Sequence, residues 1–226
     1  MNYYDEVIDI YESHLGIPFN GHCQSCDASN KSPLLPWQIG TKYNSDAGRV
    51  FIAGKPHRGT PGDVLDSNII DGREVAERLF FTENWPYWNY TKEALNIVYG
   101  SDKESWEHIA FTNIVKCTST NDTDNTSWAC AEKCIVQNKV IIKEIELLKP
   151  RKIIFFTWSM YRDLFEAIPF AVSNTIVEHT DSEHRVPCGA KQLGWWEPVS
   201  LLIVGHPERM KKVEYVIAIA QWLTKP

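Results

Sequence analysis

Apolar residues recur along the chain with two periods, which predict alternating helices and strands. Val7, Ile10 and Tyr11 repeat at three- and four-residue spacing, which predicts a helix over Tyr3–Leu15. Further helices are predicted over residues 72–81, 101–107, 129–148 and 213–223. Unbroken apolar runs predict buried strands over residues 50–53 and 153–156, from residue 109, and over residues 199–204.

This alternation predicts one α/β domain with a mostly parallel central sheet and helices on both faces, a three-layer αβα arrangement. A chain of 226 residues with 43% hydrophobic content is long enough to bury the core of such a domain. Residues 1–48 are expected to supply an N-terminal helix and a cysteine-bearing loop packed on that domain. Ligands of open α/β sheets bind outside the carboxyl ends of the strands, so we expect the functional residues there.

Four of the six cysteines have spacings that suggest a metal site. Cys23 and Cys26 form a Cys-x-x-Cys pair, 117 − 26 = 91 residues before Cys117, and Cys134 follows 134 − 117 = 17 residues later. The second pair is too distant for a compact zinc ribbon, whose knuckles lie about 15 to 20 residues apart, and an iron-sulfur cluster on a folded domain fits better. Ordinary buried thiols remain an alternative on spacing alone.

The chain carries no pattern of a membrane or secreted protein. No run approaches the roughly 18 apolar residues of a membrane span, and the N-terminus lacks the basic start and apolar core of a signal peptide. We therefore expect a cytoplasmic protein, in which a reducing environment disfavours disulfides. Cys130 and Cys188 are then expected to be packing residues.

Three phrases at strand ends bear a resemblance to a known family. They are Arg49-Val-Phe-Ile-Ala-Gly-Lys-Pro56, Ile109-Ala-Phe-Thr-Asn-Ile-Val-Lys-Cys117 and Leu201-Leu-Ile-Val-Gly-His-Pro-Glu-Arg209. Together they resemble the uracil-DNA glycosylase superfamily, especially its iron-sulfur-bearing family-4-like branch, over roughly residues 20–223. The Asn-x-x-Lys-Cys phrase, with a second cysteine on the following helix, is the most specific part.

The resemblance implies a fold, a cofactor and an activity. The fold would be uracil-DNA glycosylase-like, with a 4Fe-4S cluster on Cys23, Cys26, Cys117 and Cys134. The activity would be hydrolysis of the bond between a base and deoxyribose, on a base flipped from duplex DNA or held in a single strand. Asn113 would hydrogen-bond the flipped base, and His206 would lie near the scissile bond and stabilise the departing base or a neighbouring phosphate.

The first phrase departs from the family pattern. Family-4 members have Glu after the first glycine and Pro-Gly two residues later, whereas Gly54 is followed here by Lys55-Pro56-His57-Arg58-Gly59. The water-positioning acid is therefore missing, and a modified base other than uracil becomes a candidate substrate. Asp63 is a candidate for a displaced acid, and Lys55 is a candidate amine nucleophile or phosphate ligand.

The residues expected to contact DNA lie in the loops around these phrases. The formal net charge of −6 argues against indiscriminate nucleic-acid binding, so we expect a local basic face on a protein that acts as a monomer. Tryptophans in a Gly-flanked loop offer stacking surfaces for bases. The expected contacts are Gly54, Pro56, His57, Arg58, Pro207, Arg209, Lys211, Trp195 and Trp196.

Two other functional classes are compatible with the same residues. A catalytically silent iron-sulfur protein could keep the fold, lose the acid and bind nucleic acid. A zinc-stabilised α/β hydrolase or transferase unrelated to DNA would require the three phrases to agree by chance.

Overall fold

A seven-stranded sheet forms the centre of the protein. The computed structural model describes residues 3–15, 30–33, 38–55, 73–119, 126–157, 172–176, 189–194 and 198–225. The strands are β1 (Asn30–Pro33), β2 (Gln38–Ile39), β3 (Val50–Gly54), β4 (Ile109–Asn113), β5 (Cys117–Ser119), β6 (Lys152–Phe155), β7 (Val172–Ile176), β8 (Gly189–Gly194) and β9 (Pro198–Ile203). The sheet has the order β2-β4-β3-β6-β9-β8-β7, and β1 and β5 form a separate two-stranded sheet.

The four central strands of the large sheet are parallel. β3 lies between β4 and β6, and β6 pairs with β9, all in parallel register. Antiparallel strands extend both sides: β2 pairs with β4, and β8 and β7 continue beyond β9. The central strands are apolar on both faces because both faces are covered, as expected of parallel sheets.

Helices lie on both faces of the sheet. They are α1 (Tyr3–Leu15), α2 (Arg73–Thr82), α3 (Pro86–Tyr99), α4 (Asp102–His108), α5 (Trp128–Glu132), α6 (Val140–Leu148) and α7 (Lys212–Thr224), with a π-helix over Lys133–Gln137 and a 3-10 turn over Pro207–Arg209. Alternate residues of β3 enter different cores: Val50 and Ile52 pack with α2, α3 and α7, whereas Phe51 and Ala53 pack with α5 and α6. The mixed α/β class with a largely parallel central sheet, expected from the sequence, is therefore confirmed.

The single helix predicted over residues 129–148 is wrong, because the chain breaks in its middle. The amide of Asn138 donates to the carbonyl of Lys133 at 2.8 Å, a five-residue π-type bond. Lys139 then adopts a left-handed conformation with φ 56° before α6 begins. The apolar spacing is continuous across this break, so periodicity alone could not reveal it.

Most other predicted elements are present, and several unpredicted ones join them. α1 has the predicted bounds, and the helix expected from Ser101 is capped by that residue, whose hydroxyl accepts a hydrogen bond from the Glu104 amide at 3.2 Å. The sequence reasoning missed α3, β1, β2, β5, β7 and β8. No helix within the described ranges is long and apolar enough to cross a membrane.

Candidate active site at the carboxyl ends of the parallel strands

Gly54 and Asn113 lie side by side where two central strands end. They are register partners in the β3–β4 ladder, and the Ile114 amide donates to the Gly54 carbonyl at 2.9 Å. The helices that follow β3 pack on one face of the sheet and those that follow β4 pack on the other. Such a point, where connections leave in opposite directions, is where open α/β sheets bind ligands.

His206 reaches the same edge from the loop after β9. The Val204 amide donates to the Phe155 carbonyl at 2.9 Å, which extends the sheet for one residue beyond the strand. The buried Tyr215 hydroxyl of α7 donates to the Gly205 carbonyl at 2.7 Å and fixes the chain next to His206. The His206 side chain keeps 19% of its surface exposed, and its Nδ1 lies 3.6 Å from a carboxylate oxygen of Glu208.

Tyr87, in the first turn of α3, connects these two groups. Its ring stacks on the His206 imidazole, with centroids 5.1 Å apart and planes 9° apart. The Tyr87 ring also makes T-shaped contacts with Phe111, in the middle of β4, and with Phe156, directly after β6. A Cβ added at Gly54 would collide with the Tyr87 hydroxyl oxygen and would lie 3.4 Å from Asn113 Oδ1. A side chain at position 54 would therefore force Tyr87 to shift.

Three buried polar atoms near these strand ends have no hydrogen-bond partner among the described residues. They are the Tyr87 hydroxyl, Asn113 Nδ2 and Thr157 Oγ1. Asn113 and Thr157 are 4% and 1% exposed. Burial raises the pKa of Tyr87, so its phenol remains protonated and can donate. Because unsatisfied buried polar groups are costly, these three atoms are candidates for contacts with a polar ligand at this edge of the sheet.

The remaining predicted site residues fall into two groups. Lys55 directly follows β3 and is half-buried, Pro207 is buried at the start of the 3-10 turn, Arg209 ends that turn, and Lys211 is 76% exposed and 3.8 Å from Glu214. The other predicted residues lie outside the described part of the chain: Pro56, His57, Arg58, Asp63, Trp195, Trp196, Cys23 and Cys26.

The chain next to Cys117 contacts the segment that carries Cys134. Cys117 opens β5, which pairs with β1, and Pro33 of β1 is its register partner. Cys26 lies four residues before β1 in the sequence. The Sγ of Cys134, in the π-helix, accepts a hydrogen bond from the Lys116 amide at 3.5 Å, immediately before Cys117.

These observations bear on one of the four predicted cluster ligands. Cys134 is 2% exposed and already accepts the type of N–H hydrogen bond that tunes cluster sulfurs. Among the described side chains, no three His, Cys, Asp or Glu groups meet to hold a metal, but three of the four predicted ligands have side chains outside that set. Cys134 is therefore the one predicted ligand whose surroundings can be examined directly.

Lys116 of the same phrase is part of a buried polar network. Its Nζ lies 2.5 Å from Glu144 Oε2 and 2.9 Å from Thr112 Oγ1. The Tyr11 hydroxyl donates to the other oxygen of Glu144 at 2.8 Å. The network joins α1, the end of β4 and α6, directly behind Asn113, so Lys116 serves the scaffold of the site and does not reach its surface.

Sequence reasoning missed Tyr87 and Thr157 as site residues. Tyr87 follows Pro86, and Pro86 and Gly100 frame α3 as a first-turn proline and a left-handed C-terminal glycine. The buried positions Trp88, Thr91, Ala94 and Leu95 also have helical spacing. These signals predict the helix, and its first turn then falls at the carboxyl edge of the sheet. Thr157 is signalled only by its place directly after the apolar run of β6.

Comparison with known proteins gives no assignment: no protein-family model matches the chain, and no curated protein matches it significantly.

Proposed function

We propose that this protein is an iron-sulfur DNA glycosylase with a uracil-DNA glycosylase-like fold, acting on uracil or another modified base. The observation that carries the proposal is that Tyr87 stacks on His206 and also approaches Gly54, the register partner of Asn113, at the carboxyl edge of the parallel strands. Asn113 and His206 are the two residues that the phrase resemblance assigns to base recognition and bond cleavage. Spacing in sequence does not require both to lie at one edge beside the same tyrosine, so this arrangement supports that assignment.

Asn113 would recognise the base. Its Nδ2 is buried and lacks a partner among the described residues, so it is available to donate to a base oxygen. The Tyr87 hydroxyl and Thr157 Oγ1 offer further polar contacts beside it. Departure of a base leaves negative charge on that base, and donors fixed in a buried environment stabilise such charge more strongly than water does.

His206 would act beside the sugar. Its imidazole is partly exposed, whereas Asn113 is buried, so the two groups lie at different depths. If the base entered toward Asn113, the scissile bond and its neighbouring phosphate would lie at the exposed rim of the site, beside His206. Lys55, Lys211 and the 56% exposed Trp85, which precedes α3, would contact the DNA backbone or stack on neighbouring bases.

The proposed cluster has a structural role in this scheme. A redox role is not needed, because hydrolysis transfers no electrons. When bound, the cluster would cross-link the N-terminal cysteine loop to β5 and the π-helix. Cys117, Cys134, Cys23 and Cys26 would hold it. The buried Lys116–Glu144 pair would stabilise the same region independently of the metal.

The test is formation of abasic sites in single-stranded and duplex oligonucleotides that each carry one deaminated, oxidised or alkylated base. The wild type is expected to release at least one of these bases. His206→Gln and Asn113→Ala are expected to lower the rate by about 100-fold or more, as expected for catalytic groups. His108→Gln is the matched control, since His108 also stacks on a tyrosine, Tyr99, at the opposite end of β4.

One observation favours the alternative of a silent nucleic-acid-binding protein. No carboxylate occurs between Gly54 and Gly59, where the related enzymes position water. If the wild type binds oligonucleotides but leaves every base in place, and His206→Gln binds equally well, this alternative replaces the enzymatic one. Release of any base that depends on His206 excludes it.

A further inference from the structure

The flat contact between Tyr87 and His206 is a feature that none of the sequence phrases contains. The two rings are stacked, with centroids 5.1 Å apart and planes 9° apart. Edge-to-face contacts with Trp88, Phe111 and Phe156 hold the phenol ring from other sides, at centroid distances of 5.3, 6.0 and 5.4 Å. A ring packed in this way has one orientation, and the imidazole that lies on it loses much of its rotational freedom.

The two segments that carry these rings are fixed to each other. Pro86 fixes the entry into α3, and the hydroxyl of Thr91 donates to the Tyr87 carbonyl at 2.6 Å. Tyr215 of α7 packs against Tyr90 of α3, with ring centroids 6.1 Å apart. The Tyr215 hydroxyl also holds Gly205 next to His206. The stack therefore joins two elements that already have a set separation.

A histidine that acts beside a scissile bond must be held within a fraction of an ångström of its working position. The carboxylate of Glu208 also lies near His206, but it is 65% exposed and 3.6 Å from Nδ1, beyond normal hydrogen-bond length. Such an exposed contact orients a ring weakly. Tyr87, in contrast, is buried and packed on several sides.

We infer that Tyr87 is the positioning residue of His206, and that it acts through the face of its ring, not through its hydroxyl. This inference rests on the proposed function for its catalytic consequence, although the positioning itself can be observed without any activity. The hydroxyl lies next to Gly54, whose register partner is Asn113, so we expect the hydroxyl to affect ligand binding. The two parts of one side chain thus have separable effects.

Two substitutions separate these parts. Tyr87→Phe keeps the ring and removes the hydroxyl, so kcat is expected to stay within about twofold while KM rises about fivefold, the value of one lost hydrogen bond. Tyr87→Leu removes the stacking face, and kcat is expected to fall by about 100-fold with the fold retained. Equal losses of kcat in both variants would overturn the inference, because the hydroxyl would then be the acting group.

Nuclear magnetic resonance of the imidazole protons gives a readout that needs no substrate. A proton above an aromatic face is shifted by its ring current, so the His206 resonance should be displaced in the wild type and in Tyr87→Phe, and should return toward the position of an unstacked histidine in Tyr87→Leu. His206→Gln identifies the resonance among those of the seven histidines. An unchanged His206 resonance in Tyr87→Leu would contradict the inference.

Another His–Tyr stack supplies the matched control. Tyr99 and His108 have ring centroids 4.6 Å apart and planes 11° apart, at the amino end of β4. Tyr99→Leu should move the His108 resonance and leave that of His206 and kcat unchanged. If the resonances behave as expected but no base is released by any variant, the proposed function fails and the positioning of His206 by Tyr87 still stands.

Discussion

Lys116 and Glu144 form an ion pair inside the protein, with Nζ 2.5 Å from Oε2 and side-chain exposures of 0% and 1%. Burial lowers the pKa of Lys116, and the attraction of Glu144 opposes that shift. The Tyr11 hydroxyl donates to Glu144, and Lys116 donates to the Thr112 hydroxyl oxygen, which completes the network. The pair thus connects the N-terminal helix to the strand that ends at Asn113, and neither charge has solvent to replace its partner.

Replacing one member of this pair should therefore destabilise the protein more than replacing both. We expect Lys116→Met and Glu144→Leu each to lower the free energy of unfolding by about 3–5 kcal/mol, because each leaves one buried charge unpaired. The double variant should be no less stable than either single one. Urea unfolding of all four proteins measures the cycle.

The exposed pair Lys143–Glu146 is the control for that cycle. Its atoms are 2.7 Å apart, but the side chains are 40% and 48% exposed, so each single substitution should cost less than about 1 kcal/mol. Additive losses at Lys116 and Glu144 would show that the two charges do not depend on each other.

The cysteines of the helical segment after β5 offer a direct test of the cluster. Cys130 and Cys134 are four residues apart and equally buried, at 1% and 2% exposure, but only Cys134 is a predicted ligand. Cys134→Ala should abolish the visible absorbance, iron and acid-labile sulfide of protein purified without air. Cys130→Ala should retain all three. Loss of colour in both variants would mean that disturbance of the segment, not ligand removal, is responsible, and a colourless wild type would exclude the cluster.

The sequence predicts those strands of the fold that have an unbroken apolar run and misses those that lack one. β3 and β6 lie in the buried centre of the sheet, and their unbroken apolar runs predict them directly. β7 and β8 lie at one side of the sheet, and their sequences, Val-Ser-Asn-Thr-Ile and Gly-Ala-Lys-Gln-Leu-Gly, have no such run. Edge strands form through pairing with a neighbour, which a single-sequence pattern does not encode.

The site was predictable to a similar extent. Asn113 and His206 follow apolar runs, so the rule that ligands bind at carboxyl ends predicts them. Tyr87 comes from a helix that crosses the face of the sheet, and its approach to His206 depends on the packing of α3 against α7. The π-helix that carries Cys134 depends on a five-residue hydrogen bond that an apolar period does not reveal. The first relationship is tertiary and the second is a local hydrogen-bond pattern, and apolar periodicity encodes neither.

Gly54 tests the close approach of Tyr87 to the end of β3. Gly54→Ala should lower the free energy of unfolding by about 1–3 kcal/mol, because the new methyl group collides with the Tyr87 hydroxyl. Tyr87→Phe removes that oxygen and leaves the ring carbon Cζ, at 3.2 Å from the Cβ position, as the nearest Tyr87 atom. The double variant should therefore recover part of the loss, with a coupling of about 1 kcal/mol in urea unfolding.

Gly100 is the matched glycine for this experiment. It has φ 90° and no heavy atom within 4 Å of its Cβ position, so Gly100→Ala costs about 1 kcal/mol through backbone strain alone. Tyr87→Phe should not recover any of that loss. Equal recovery at both glycines would show that Tyr87→Phe stabilises the protein generally and that Gly54 does not depend on the hydroxyl.

Alkaline pH should destabilise the protein through its buried tyrosines. Burial raises the pKa of Tyr43, which is 1% exposed and whose hydroxyl has no partner among the described residues. In the folded protein the pKa of Tyr43 lies above the unfolded value of about 10. Its contribution to the free energy of unfolding is therefore fully present below pH 10. That contribution is lost as the pH rises further, by about 1.4 kcal/mol per pH unit.

Tyr43→Phe should therefore leave the free energy of unfolding at pH 7 unchanged within about 0.5 kcal/mol. Above pH 10, the free energy of unfolding should fall less steeply with pH, by the slope that corresponds to one proton. Urea unfolding between about pH 8 and 11.5 measures both. Tyr99→Phe is the comparison, because burial raises the pKa of Tyr99 to about 12 and its hydroxyl donates to the Ala47 carbonyl at 2.9 Å. That variant should lose about 1 kcal/mol at pH 7 as well. A Tyr43→Phe protein with an unchanged alkaline slope would show that Tyr43 ionises as readily in the folded state as in the unfolded one.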